Sequence, residues 1–193
     1  MNFTEYVELA IRTESLYPVI NPSHEQSNIN DSLFHSAIGI QTEIGEIFEA
    51  LYIKGGELDT VNLREEIGDV MWYIAIACKK LEFYELDFDM NFDTKKYDSI
   101  EKYAHRLNYF SIEILDSFKK SLFYNKSFNT ELLKERFIEI FGLAGAFVKI
   151  LGSDIESICT INIKKLQARY PEKFTTEKAV NRDLRTERKI LES

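Results

Sequence analysis

Apolar positions recur at helical spacing through most of the chain. Ile40, Ile44, Ile47 and Leu51 form one stripe and Leu63, Ile67, Val70 and Ile74 a second, the i, i+3/i+4, i+7 pattern of helices with one buried face. The spacing predicts helices over about 33–53 and 60–81. Residues 1–17 read as a short amphipathic helix, and "PVINPSHEQSNINDS" at 18–32 as a polar loop ending in helix-start chemistry. The acidic, aromatic segment 82–101 has little helical period and reads as a connector lying on the surface, its aromatic rings needing cover from elsewhere. Only Pro18, Pro22 and Pro171 occur, so the strongest helix breaker is missing from 23 to 170. The pattern predicts an all-α protein.

Residues 102–151 lie over 32–81 without gaps at an offset of 70: His105 falls on His35, Glu113 on Glu43, Phe118 on Phe48, Leu133 on Leu63 and Leu151 on Leu81. We read a duplication. The expected architecture is a single domain with a four-helix-bundle-like core built from two helical hairpins, an internal pseudo-dimer. The chain would then divide into repeat one (32–81), connector (82–101), degenerate repeat two (102–151), and a closing helix at about 153–168 followed by a charged tail to 193.

The polar flanks of the first two stripes carry the chemistry. At about 100° per residue, Glu43 and Glu46 fall to one side of the first stripe, and Glu66 and Asp69 take the same two angles on the second. A short connection makes the helices antiparallel, and equally placed flanks of an antiparallel pair face the same side. Four carboxylates are therefore expected to converge. Held together in a wet groove, they are most readily kept ionised by Mg²⁺ or Mn²⁺. An all-oxygen set does not suit zinc, and the lack of a Glu-x-x-His pair counts against a ferritin-like di-iron centre. In the second repeat the equivalent positions are Glu113, Asp116, Arg136 and Glu139. Arg136 places a fixed cation where a metal would sit, so an internal ion-pair cluster without metal is expected there.

Composition narrows the partners. The net charge is −8 with no basic tract, which counts against nucleic-acid polymers. The longest apolar run, 70–78, is far short of a membrane span, and the charged N-terminus does not read as a signal peptide; a soluble, cytoplasmic chain is expected. Cys78 and Cys159 form no disulfide or zinc pattern and read as reduced core thiols.

Glu-x-x-Glu, 19 intervening residues and Glu-x-x-Asp, with "EEIGDVMWYIA" and the closing "NIKKLQARYPEKFTTEKAVNRD", resemble the all-α nucleoside triphosphate pyrophosphohydrolases, the MazG-like proteins and dimeric dUTPases. The three blocks cover about 33–81 and 160–183. The resemblance implies Mg²⁺-dependent cleavage of a nucleoside triphosphate between the α and β phosphates, giving a monophosphate and pyrophosphate, for cleansing or balancing a nucleotide pool. It implies Glu43, Glu46, Glu66 and Asp69 as metal ligands, Glu43 or Glu46 as the base, Tyr73 as a lid over the ligand, and Asn162, Lys165 and Arg169 as phosphate contacts. The family's basic hairpin loop is absent from the first repeat, which has "EALYIKGG", and present in the second as "KKSLFYNK". One composite site is therefore expected, with Lys119, Lys120 or Lys126 reaching phosphates held by the first repeat. The fused halves allow a monomer or a homodimer. Two other classes stay open at this point: a non-catalytic helical scaffold or regulator, and a divalent-cation sensing module.

Overall fold

A computed structural model describes residues 1–14, 31–53, 55–83 and 90–193. Its helices are α1 (Phe3–Ala10), α2 (Asp31–Tyr52), α3 (Thr60–Leu81), α4 (Ile100–Tyr124), α5 (Thr130–Ile150), α6 (Ile155–Arg169), α7 (Thr176–Val180) and α8 (Leu184–Leu191), and no strand occurs among the described residues. The fold is all-α, as the periodicity requires. Most of the expected 18–32 loop (18–30), the end of the first expected helix (15–17) and most of the connector's first half (84–89) lie outside the described residues, and 31–32 belong to α2.

Side-chain caps set the helix starts. Asp59 accepts from the N–H groups of Val61 and Asn62 at the start of α3, Ser99 and Asn129 cap α4 and α5, and Asp154 caps α6. Each satisfies donors that the first helical turn leaves unpaired.

Helices α2, α3, α5 and α4 pack in that order around one core, each touching the next, with α4 returning to α2. α3 and α5 match at the offset of 70, and α2 and α4 nearly so. The contacts repeat the relation. Gln41 and Ser111, equivalent positions, meet across α2 and α4, the Ser111 hydroxyl donating to Gln41 Oε1 at 2.7 Å. Phe34 packs on Phe118 and, reciprocally within one residue, Phe48 packs on His105. An approximate two-fold axis therefore runs between Gln41 and Ser111.

α6 and α1 cover the first half by packing on α3 and on each other. Gly68 permits this: a Cβ there would come within 3.3 Å of Asn162 on α6. The connector covers the second half, where Phe92 packs on Phe141 and fills the space beside Gly145; this is the cover its aromatics needed. Cys78 and Cys159 are both buried. No helix among the described residues is long and apolar enough to cross a membrane.

Two expectations need correction. The tail at 171–193 is not merely charged: α7 and α8 fold back, with α8 packed on α6. The four-residue ion-pair cluster of the second half reduces to one pair, Arg136 Nε to Glu113 Oε2 at 2.6 Å. Asp116 is drawn to Lys119 and Lys120 on its own helix, because i, i+3 and i, i+4 neighbours are nearer than the facing helix, and Glu139 faces Lys96 of the connector at 3.8 Å.

Candidate active site

The carboxylate flanks of α2 and α3 do converge. One oxygen each from Glu43, Glu46 and Glu66 lies within 4.8 Å of the others. Glu66 is buried, Glu43 half-buried and Glu46 exposed, so the cluster opens toward solvent on the α2 side. Asn62, one turn before Glu66, donates its amide to Glu66 Oε1 at 2.8 Å. Among the described residues no ion pair reaches Glu43, Glu46 or Glu66.

Asp69 sits beside this trio with its oxygens engaged. Lys165 Nζ donates to Oδ1 at 2.8 Å and Oδ2 at 2.6 Å, and the Asn162 amide donates to Oδ1 at 2.7 Å. Lys165 also reaches Glu65 at 3.2 Å, and the Tyr6 hydroxyl donates to Asn162 Oδ1 at 2.9 Å. The fourth expected ligand is thus in place but held by an ammonium and an amide. Asn162 and Lys165, 2% and 0% exposed, stand behind Asp69 and not on the cleft surface, which corrects their expected role as direct phosphate contacts.

The acids form one wall of a cleft of about 440 Å³, within the size range of small-molecule sites. Arg169 and Arg182 line it as well, and His35, Trp72 and Tyr73 form an aromatic group, their rings packed edge to face. The Trp72 indole N–H is already directed to the Ala10 carbonyl and Thr13 Oγ1, both at 3.0 Å. Gly39 on α2 makes room for Tyr73, since a Cβ there would fall 2.1 Å from its ring. Tyr73 lines the cleft.

The second-repeat lysines do not line it. Lys119 and Lys120 pair with Asp116, and Lys126 is exposed in the α4–α5 loop. Neighbouring Phe118 meets α2 at Phe34, nine residues before Glu43 and so about 14 Å away along the helix. Antiparallel packing of α2 on α4 carries the basic loop away from the acids, and the composite site is not formed in this way. Arg182, Glu65, Glu187 and Tyr6 take parts that the sequence reading did not assign them.

Burial, then Asp69 and Glu46, pushes Glu43 up to about 8, against the nearby Lys165. Burial, then Asp69, Glu46 and Glu43, pushes Glu66 up to about 9. Burial alone would lower Lys165, but Asp69 and Glu65 outweigh it and hold the ammonium above its ordinary value. Burial lowers His35 against the pull of Glu14 and, with Glu43 and Asp69, raises Tyr73. Hard oxygen donors that repel one another, with no cation of their own, fit Mg²⁺ or Mn²⁺.

A stability signature follows. Glu43 and Glu66 titrate above their ordinary 4.5, so their contribution is fully present below that value and is lost as pH rises through about 8 to 9. Metal-free protein is expected to lose thermal stability between pH 6 and 9, with a shallower slope in Glu43→Gln. Excess Mg²⁺ should restore much of the loss, because metal binds the deprotonated folded form. Thermal unfolding with and without EDTA checks this; identical slopes in wild type and Glu43→Gln would contradict it.

Comparison of the chain with family models, curated proteins and solved structures gives no match. The functional reading therefore rests on the cleft.

Proposed function

We propose that this chain is an Mg²⁺-dependent nucleoside triphosphate pyrophosphohydrolase of the MazG-like kind. The observation that carries the reading is the three-glutamate cluster sharing one cleft with two arginines. Such a pairing suits a ligand that is both metal-bound and polyanionic.

Glu43, Glu46 and Glu66 would hold Mg²⁺ or Mn²⁺, which when bound neutralises phosphate charge and lowers the pKa of a bound water. The remaining work belongs to the chain. Glu46, the exposed member of the trio, is the carboxylate best placed to accept a proton from water entering the cleft. Lys165 and Asn162 hold the carboxylate of Asp69 beside the trio, with its oxygens engaged. Arg169 and Arg182 contact phosphate oxygens, and the flat walls of His35, Trp72 and Tyr73 suit a base.

Phosphorus NMR of a deoxynucleoside triphosphate with Mg²⁺ tests the reaction. Monophosphate and pyrophosphate should appear together, without diphosphate. Diphosphate with inorganic phosphate would mean attack at the γ phosphorus and would overturn the assignment. Metal binding without turnover of any of the common nucleotides would favour a cation-sensing module, and neither binding nor turnover a helical scaffold.

A further inference from the structure

The C-terminal segment reaches the cleft through Arg182, with a buried carboxylate standing behind it. Glu187 on α8 is 4% exposed and is gripped by two arginines. Arg169 Nε and Nη2 donate to its Oε1 and Oε2 at 2.8 and 2.7 Å, and Arg182 Nη2 and Nε donate to Oε2 at 2.8 and 3.2 Å. Arg182 Nη2 also lies 3.6 Å from Glu65 Oε1, the neighbour of Glu66. Both arginines line the cleft, whereas Glu187 does not. The carboxylate is therefore behind and the guanidiniums in front. The next residue, Arg188, donates to both oxygens of Asp59 at 2.8 and 3.1 Å, and Asp59 is the cap of the helix that carries Glu66 and Asp69. The segment is tied both to the basic wall and to the start of the acidic one.

We propose that the tail from Arg182 through α8 is a working part of the site, in which Glu187 is a positioning residue that sets Arg169 and Arg182 as a two-guanidinium seat for the phosphate chain of an oligophosphate. A planar guanidinium held through two of its nitrogens presents the remaining N–H groups in a fixed direction. Two such groups in the same cleft as a cluster of carboxylates suit a metal-bound ligand with successive phosphates better than a single phosphate. The proposal rests on the reading above for the ligand class.

Its test separates the two ideas by using inorganic tripolyphosphate, which has no nucleoside, titrated calorimetrically into the full-length protein with Mg²⁺. The wild type should bind. Arg182→Gln, at a position 38% exposed in its side chain and so tolerant of replacement, should weaken binding about tenfold, the usual effect of losing one charge-assisted hydrogen bond. The sign for Glu187→Gln is the discriminating result: it removes a negative charge near the ligand, yet loosening both arginines should weaken binding about fivefold or more. Arg188→Ala, which touches neither arginine, should weaken it less. Tighter binding by Glu187→Gln would make that carboxylate a competitor of the ligand and overturn the proposal. Unchanged binding by Arg182→Gln, or none by the wild type, would overturn it as well. Weakened binding in these variants without pyrophosphate release from any nucleotide would leave the seat standing and remove the hydrolase reading instead.

Discussion

Glu66→Gln is expected to remove pyrophosphate release while making the metal-free protein more stable. Glu66 is buried among like charges and is pushed up to about 9 by burial and by Asp69, Glu46 and Glu43. The glutamine keeps the oxygen that accepts from Asn62 but cannot ionise. At pH 9 the metal-free variant should melt about 2–4 °C above wild type, corresponding to about 1 kcal/mol in a chain of this size. Turnover should fall by at least about 100-fold, the upper end of what losing even an outer-shell partner of a metal costs. Opposite signs for stability and activity separate a ligand from a structural acid, whose loss would lower both. Thermal unfolding in EDTA beside a pyrophosphate-release assay measures the two.

Lys165→Met is expected to be among the most destabilising substitutions in the described chain. Its ammonium is wholly buried between Asp69 and Glu65, whose side chains keep 24% and 17% exposure. Removing it leaves both acids unpaired next to three more carboxylates. Breaking a buried pair costs about 3–5 kcal/mol, and the partial exposure of the acids puts the cost near about 3 kcal/mol on that scale. With Lys165 gone, Asp69 is released toward the glutamate trio, so excess Mg²⁺ should raise the melting temperature of the variant more than that of wild type. A variant as stable as wild type in EDTA would mean that the lysine is not the counter-charge of Asp69.

The helices and the convergence of Glu43, Glu46 and Glu66 were legible because both follow from local geometry: a 3.6-residue period and equal angles on two antiparallel helices. The bounds of α3 fall at Thr60 and Leu81, as the spacing of its stripe indicates. The two-hairpin arrangement was legible for the same reason, the offset of 70 reappearing in the helix bounds and in the contact of Gln41 with Ser111. Features that depend on distant segments were not. Lys165 was expected to reach a phosphate, and only the docking of α6 on α3 at Gly68 turns its side chain inward to Asp69. The tail gave a weak signal, Asp183 as a cap and Arg188 four residues before Glu192, which speaks for a helix but not for what it touches. The lysines of "KKSLFYNK" misled because matching them to the first repeat required a direction of packing, and α2 and α4 run antiparallel.

The most direct test is a calorimetric titration of Mn²⁺ into the metal-free wild type and Glu46→Gln at pH 8. Glu46 is exposed, so its replacement leaves the fold intact while removing one oxygen donor from the cluster. The wild type should bind saturably and release protons from the raised glutamates, and the variant should bind far more weakly. No saturable binding by the wild type, or the same isotherm in both proteins, would contradict a metal site at Glu43, Glu46 and Glu66.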